Sequence, residues 1–309
     1  MRVLITAVCL LAQFVLVGPA VADPVTVIDR RGPQTFAAPP QKIAVLDWSV
    51  TEALLDLGII PADVAEPAAY ADWMVSPALP AAAVDLGLRA EPNLEALAAL
   101  HPDVIITADI DPALVPVLEQ IAPVVVYQAF DITQDNPTAA KEIFLSLGTL
   151  TCTRGLAEQK LAAQELELHA IAKRLADHFG APLPKVTAVR LNDATSASVN
   201  GANLMPGYVL HRLGFSTELP QPKSRWGITL LKAEDLAAAK TGIVLAIGPD
   251  MAGAALRQTP IWAFLPFVQA GRLADVRPVW SYGGALSITR LARGFEAALL
   301  TVPPEAVAK

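Results

Sequence analysis

Val84-Asp85-Leu86-Gly87-Leu88-Arg89-Ala90-Glu91-Pro92-Asn93-Leu94-Glu95, continued by His101-Pro102-Asp103-Val104-Ile105-Ile106-Thr107, holds a strand, a turn, a helix and a second strand in one run. Gly87 marks the turn. Pro92 suits the first helical position, where a missing N–H costs nothing, and acidic neighbours favour a helix N-terminus. Leu94, Leu97, Ala98 and Leu100 form an apolar face at helical spacing, and His101-Pro102 stops the helix before the apolar run Val104 to Ile106. Arg89 lies on the connection after a strand, the place where open α/β sheets hold ligands. From spacing alone, a ligand-facing arginine and an idle surface arginine are both open.

The same rhythm extends on either side. Lys42 to Asp47 reads as a buried strand, followed by Trp48 and a helix through Leu57 that Gly58 stops. Pro61 to Glu66 gives a short strand, Tyr70 to Pro80 a loop carrying Trp73, Pro112 to Ile121 a helix, Val124 to Tyr127 a strand and Asp135 to Leu150 a helix. Such alternation predicts a parallel sheet with helices on its faces. The rhythm breaks at Gly155 to Phe179, which has no proline or glycine between its ends and repeats Leu161, Leu168, Ile171, Leu175 and Phe179 at helical spacing. A helix of that length spans about 36 Å. We read it as a strut joining two lobes, in preference to a crossover helix within one large domain.

Beyond the strut the theme returns. Strands are expected at Val186–Leu191, at Ile243–Ile247 and before Trp280, with helices at Gly207–Leu213, Lys232–Lys240, Pro260–Val268 and Leu286–Leu300. The expected fold class is therefore α/β: two lobes, each with a central, mostly parallel sheet flanked by helices, joined by one long rigid helix.

The 309 residues suffice for two cores. Arg2, the apolar run Val3 to Val17 and Ala20-Val21-Ala22 read as a secretory signal cleaved near Ala22; the apolar run is short for a membrane anchor. The expected organisation is a signal over residues 1–22, an N-terminal lobe over 23–154, the strut over 155–180 and a C-terminal lobe over 181–309. Pro24 to Phe36 is expected to form an antiparallel arm turning at Gly32-Pro33. Cleavage leaves Cys152 as the sole cysteine, so no intrachain disulfide can form, and a half-buried spectator thiol is expected. A net charge of −7 argues against nucleic acid and anionic membranes as partners.

Catalytic and metal motifs do not surface. The histidines at 101, 169, 178 and 211 share no metal-ligand spacing, and no nucleophile elbow, P-loop or dinucleotide fingerprint is present. The positive signal is aromatic. Aromatics are only 6% of the chain, yet Trp48, Trp73, Trp226 and Trp280 all fall at strand ends or in loops, leaving Trp262 as plain helix core. Rings so placed build a wide, partly apolar pocket. A secreted α/β hydrolase and a partner-binding scaffold remain as competing classes.

With these residues in view, the chain resembles the periplasmic siderophore-binding proteins of ABC importers, in particular their ferric hydroxamate-binding branch. The likeness runs from about Lys42 to Gly294. It rests on Val45-Leu46-Asp47-Trp48, Trp73-Met74-Val75-Ser76-Pro77, the opening stretch, Trp226-Gly227, Thr259-Pro260-Ile261-Trp262 and Val279-Trp280-Ser281-Tyr282-Gly283. It implies a class III periplasmic binding protein fold, no catalysis, no resident cofactor or protein-bound metal, and a periplasmic monomer that passes a ferric siderophore to an inner-membrane ABC permease. It implies further that Arg89 meets the hydroxamate oxygens, with Trp48, Trp73, Trp226, Trp280 and Tyr282 lining the cleft. Glu95 and Glu234 would face the permease. Cobalamin or haem is the alternative ligand. One departure stands out: the tyrosine that the family places after the strand matching Val104–Thr107 is absent from Ala108-Asp109-Ile110-Asp111-Pro112. Acidic side chains there would suit neutral or cationic complexes better than acidic ones.

Overall fold

The structure, a computed structural model, describes residues 23–81, 83–249 and 253–307; the expected signal segment lies outside them. The chain opens on an antiparallel hairpin, β1 (Val25–Asp29) and β2 (Gly32–Phe36). Its turn is Arg30-Arg31 rather than Gly32-Pro33, because Gly32, at φ 115°, already opens the second strand. The buried Asp29 carboxylate pins the hairpin to the next sheet by accepting the Val126 N–H at 3.0 Å.

That sheet comprises β3 (Ile43–Val45), β4 (Asp63–Val64), β5 (Val84–Asp85), β6 (Val104–Ala108) and β7 (Val124–Tyr127), in the order β5-β4-β3-β6-β7 with every pairing parallel. The near-continuous β-branched runs of β3, β6 and β7 are buried on both faces, as helix-covered parallel strands must be. The coverage comes from α1 (Trp48–Asp56), α2 (Pro67–Met74), α3 (Leu94–Leu100), α4 (Val115–Leu118) and α5 (Asn136–Leu150). Two local expectations change here. Residues 67–74 form a helix started by Pro67, so Trp73 is helical and not in a loop. The cap of α3 is Asn93, whose side chain accepts the Ala96 N–H; Pro92 stays outside, bridged to Gly87.

Helix α6 (Arg154–Phe179) has 26 residues and spans about 39 Å. Cys152, just before it, sits at φ 56° and is exposed rather than half-buried, because the α5–α6 corner turns at the surface.

The second sheet holds β8 (Val186–Leu191), β9 (Ser196–Asn200), β10 (Ile228–Lys232), β11 (Ile243–Ile247) and β12 (Leu273–Val276), in the order β10-β9-β8-β11-β12. Its β8-β11-β12 half is parallel, but β9 pairs antiparallel with both β8 and β10, so this sheet is mixed rather than mostly parallel. Both missed strands are half-buried, and Ser-Ala-Ser-Val-Asn offers little apolar signal. Helices α7 (Met205–Arg212), α8 (Ala254–Arg257), α9 (Pro260–Phe264), α10 (Pro266–Gln269) and α11 (Ser287–Leu299) complete the lobe. Pro266 splits the single helix expected over 260–268, and Lys232–Lys240 shortens to a 3₁₀ segment at Ala233–Ala238.

The lobes are tied by charge. Glu52 on α1, fully buried, accepts hydrogen bonds from the Gly284 N–H, from Ser287 Oγ at 2.6 Å and from Arg290 of α11. Arg290 also bridges Asp56. Gly283 permits the approach: a Cβ there would lie 2.0 Å from Ser287 Oγ and 2.6 Å from Glu52 Oε2. Helix α6 is fastened separately to α11 by Gln164, which donates to the Thr289 hydroxyl at 3.0 Å and to the Ala285 carbonyl just before the helix at 2.9 Å, and by the Arg174–Glu296 and Arg293–Glu167 pairs.

Burial raises the Glu52 carboxyl from 4.5 to about 7, against the pull of Arg290. The folded chain therefore holds this proton more tightly than the unfolded one. The stability it contributes is full below about pH 4.5 and is lost as pH rises through 7. Urea midpoints from pH 5 to 8 should fall less steeply in Glu52→Gln than in the parent. An equal slope in both would show that Glu52 does not titrate there.

Candidate functional site

Open parallel sheets bind ligands beyond the carboxyl ends of their strands, where the strand order reverses. The first sheet reverses between β3 and β6. A cavity of about 600 Å³ opens at that point, and the exit of every strand reaches it: Asp47 and Trp48 after β3, Glu66 after β4, Arg89 after β5, Asp109 and Asp111 after β6, Phe130 after β7. The opposite wall comes from the other lobe, with Trp226 ahead of β10 and Trp280 and Tyr282 after β12.

Trp48 is the anchor. It begins α1 directly after the cap Asp47, which accepts the Ser49 and Val50 N–H groups, and its indole donates to the Ala65 carbonyl at 3.1 Å. The Arg89 guanidinium stacks over this ring at 3.8 Å and donates through Nε to Glu66 at 2.5 Å. Its loop closes tightly: Asn93 N–H donates to the Leu86 carbonyl at 2.7 Å, and a Cβ on Gly87, at φ 82°, would crowd Asn93 N at 3.0 Å. One face of the guanidinium is thus stacked and one edge paired, an arrangement suited to a planar fork of donors.

The aromatic wall is continuous across the lobes. Trp48 meets Trp280 at 5.4 Å between centroids, Trp280 meets Tyr282 at 5.4 Å, and Tyr282 meets Phe130 at 5.2 Å. Trp226, 45% exposed, closes the rim against Phe130 and Tyr282. Trp73 does not line the cavity. It stands behind Trp280 at 5.2 Å and supports the wall instead.

The floor is acidic. Asp109, in a left-handed turn at φ 51°, accepts the Ala129 and Phe130 N–H groups; burial, and then the neighbouring Asp47, raise it to about 6. Burial also pushes Asp47 up. No aromatic follows β6: Ala108, Asp109, Ile110 and Asp111 themselves line the cavity. Glu95 lies exposed in the first turn of α3, and Glu234 lies exposed in the first turn of the 3₁₀ segment of the other lobe, 3.8 Å from Lys232. The sequence reading passed over Phe130, Glu66 and Leu88; the first two leave β7 and β4 by the same strand-end rule that singled out Arg89.

Two α/β lobes meeting over an aromatic cleft that carries a guanidinium define a two-lobe solute-binding protein. The chain belongs to the periplasmic binding protein family, whose sequence profile matches residues 43–279. Members of this family are binding proteins and act outside the cytoplasm, and among the described residues no helix is long and apolar enough to cross a membrane. The chain is 32% identical to the iron(3+)-hydroxamate-binding protein FhuD of Escherichia coli over 266 residues, 85% of this chain and 88% of that protein. It superposes on the Fe3+-Desferal-bound siderophore-binding protein FhuD of Vibrio cholerae with a TM-score of 0.83 and 39% identity, covering 85% of this chain and 99% of the other. The catecholate-siderophore-binding protein VctP of Vibrio cholerae, at 19% identity and TM-score 0.68 over 91% and 100% of the two chains, shares the fold.

Gly87→Ala should destabilise the protein by about 1–3 kcal/mol, through strain at positive φ and the clash with Asn93. Urea unfolding would measure it. A change below the error of the fit would mean that the loop relaxes freely.

Proposed function

We propose that this protein captures a ferric hydroxamate siderophore in the interlobe cavity and delivers it to an inner-membrane ABC permease. It would work as a periplasmic monomer after removal of its first 22 or so residues, with the iron complex as cargo and no resident cofactor. The observation that carries this reading is the Arg89–Trp48 stack, set at the strand-order reversal and faced by Trp280 and Tyr282 from the other lobe. A ferric hydroxamate complex offers an apolar shell around polarised N–O and C=O oxygens. Rings suit the shell, and the guanidinium suits the oxygens. The 39%-identical Vibrio cholerae protein, bound to Fe3+-Desferal, supports this choice of ligand.

Charge narrows it further. Asp109, Asp111 and Glu66 line the cavity, so neutral or cationic complexes are favoured over polycarboxylates such as ferric citrate, the ligand named for a Bacillus subtilis relative at 24% identity. Trp226, Trp280 and Trp48 serve as ligand walls, Tyr282 as a polar wall group and Trp73 as backing. Glu95 and Glu234, one exposed on each lobe, are the groups offered to the permease.

Ferric desferrioxamine should quench the tryptophan fluorescence of the full chain with micromolar or tighter affinity, and Arg89→Ala should weaken binding at least tenfold. A flat response to ferric hydroxamates would sink the reading. Glu95→Ala should leave that titration unchanged while abolishing siderophore-dependent iron uptake; lost binding would place Glu95 in the wrong role.

A further inference from the structure

Nearly every enclosed guanidinium in this protein has its partners. Arg290, Arg212, Arg31 and Arg89 each meet a carboxylate, and Arg272 donates to the Lys240 and Ala306 carbonyls. Arg190 stands apart: Arg272 lacks a partner at its buried Nε alone, while no hydrogen bond reaches the Arg190 guanidinium at all. Its Nε and Nη2 are enclosed with no hydrogen-bond partner, and among the described residues no carboxylate pairs with it. An enclosed cation left so is costly, and such a group needs a physical account.

Its position supplies one. Arg190 lies next to the carboxyl end of β8, and the second sheet reverses its strand order between β8 and β11, as the first does between β3 and β6. The guanidinium sits 4.9 Å from the Trp73 ring centroid and 5.4 Å from that of Trp280. Cation–π contact offsets part of the desolvation but satisfies none of the N–H donors. Arg190 is partly exposed and stands one ring behind the cavity, whose wall there is Trp280 and Tyr282.

We propose that Arg190 is a second ligand-binding guanidinium, donating from the C-terminal lobe to oxygens of the ferric hydroxamate while Arg89 donates from the N-terminal lobe. The proposal rests on the ligand class inferred above. Contact requires the Trp280 ring to tilt, a side-chain change of the kind common on binding.

The test uses the full chain with ferric desferrioxamine and its diamagnetic gallium(III) analogue. Arg190→Met and Arg190→Gln should bind ferric desferrioxamine at least tenfold more weakly than the parent, with Arg190→Lys recovering part of the loss. The melting temperature of Arg190→Met should be unchanged or higher, since an unpaired cation is removed, whereas a purely structural arginine would lower it. The Nε–H resonance of Arg190, assigned by its absence from Arg190→Lys, should shift on saturation with gallium desferrioxamine. Parent-like affinity in Arg190→Met, or an unmoved resonance at saturation, would overturn the proposal while leaving the ligand class intact. Failure of the parent itself to bind would remove both.

Discussion

A carboxylate that belongs to one lobe but takes all its donors from the other is the constraint on which this molecule turns. Glu52 has no solvent, and its donors are the backbone of Gly284, the hydroxyl of Ser287 and the guanidinium of Arg290. A buried ion pair of this kind adds little net stability when set against a well-packed apolar substitute, but it penalises misregister heavily, because any slip leaves a bare charge. What Glu52 secures is therefore position. It lies one turn along α1 from Trp48, while Gly284 lies two residues beyond Tyr282 and four beyond Trp280. This contact, together with the packing of Leu204 and Ala285 against the first lobe's core, helps to hold in register the aromatic wall that crosses from lobe to lobe.

Charge within the cleft is graded rather than uniform. Arg89 is stacked and paired, Asp47 is spent on a helix cap, and Asp109 is turned toward two backbone N–H groups. Each ionisable group thus performs a local task that also fixes where it points. The apolar rings leave a surface on which a bulky complex can rest without stripping many polar groups of water.

Much of this was legible before any coordinates. The first sheet, the strut and Arg89 at a strand exit follow from buried β-branched runs, an uninterrupted helical period and one glycine turn, all local signals. What stayed hidden was non-local. β9 and β10 are half-buried and weakly apolar, so neither period nor composition announced them. Trp73 reads as a loop residue because Pro67 carries no evident signal of a helix start, and its place in the cleft wall rests on resemblance. Phe130 and Arg190 look like ordinary strand-end residues until the topology brings them beside the tryptophans. The roles proposed for Arg89 toward the ligand and for Glu95 and Glu234 toward a permease rest on resemblance, which composition could not have replaced.

The length of α6, fastened along its course to α11, has a consequence for signalling. A frame with a 26-residue spine and a buried tie between its halves has little freedom to announce its cargo by folding shut. On the function proposed, a transporter meeting it would tell full from empty by touch. The cue would be the exposed crown of the iron complex and the tilt of a few rim side chains, not a large change in the spacing of the two lobes.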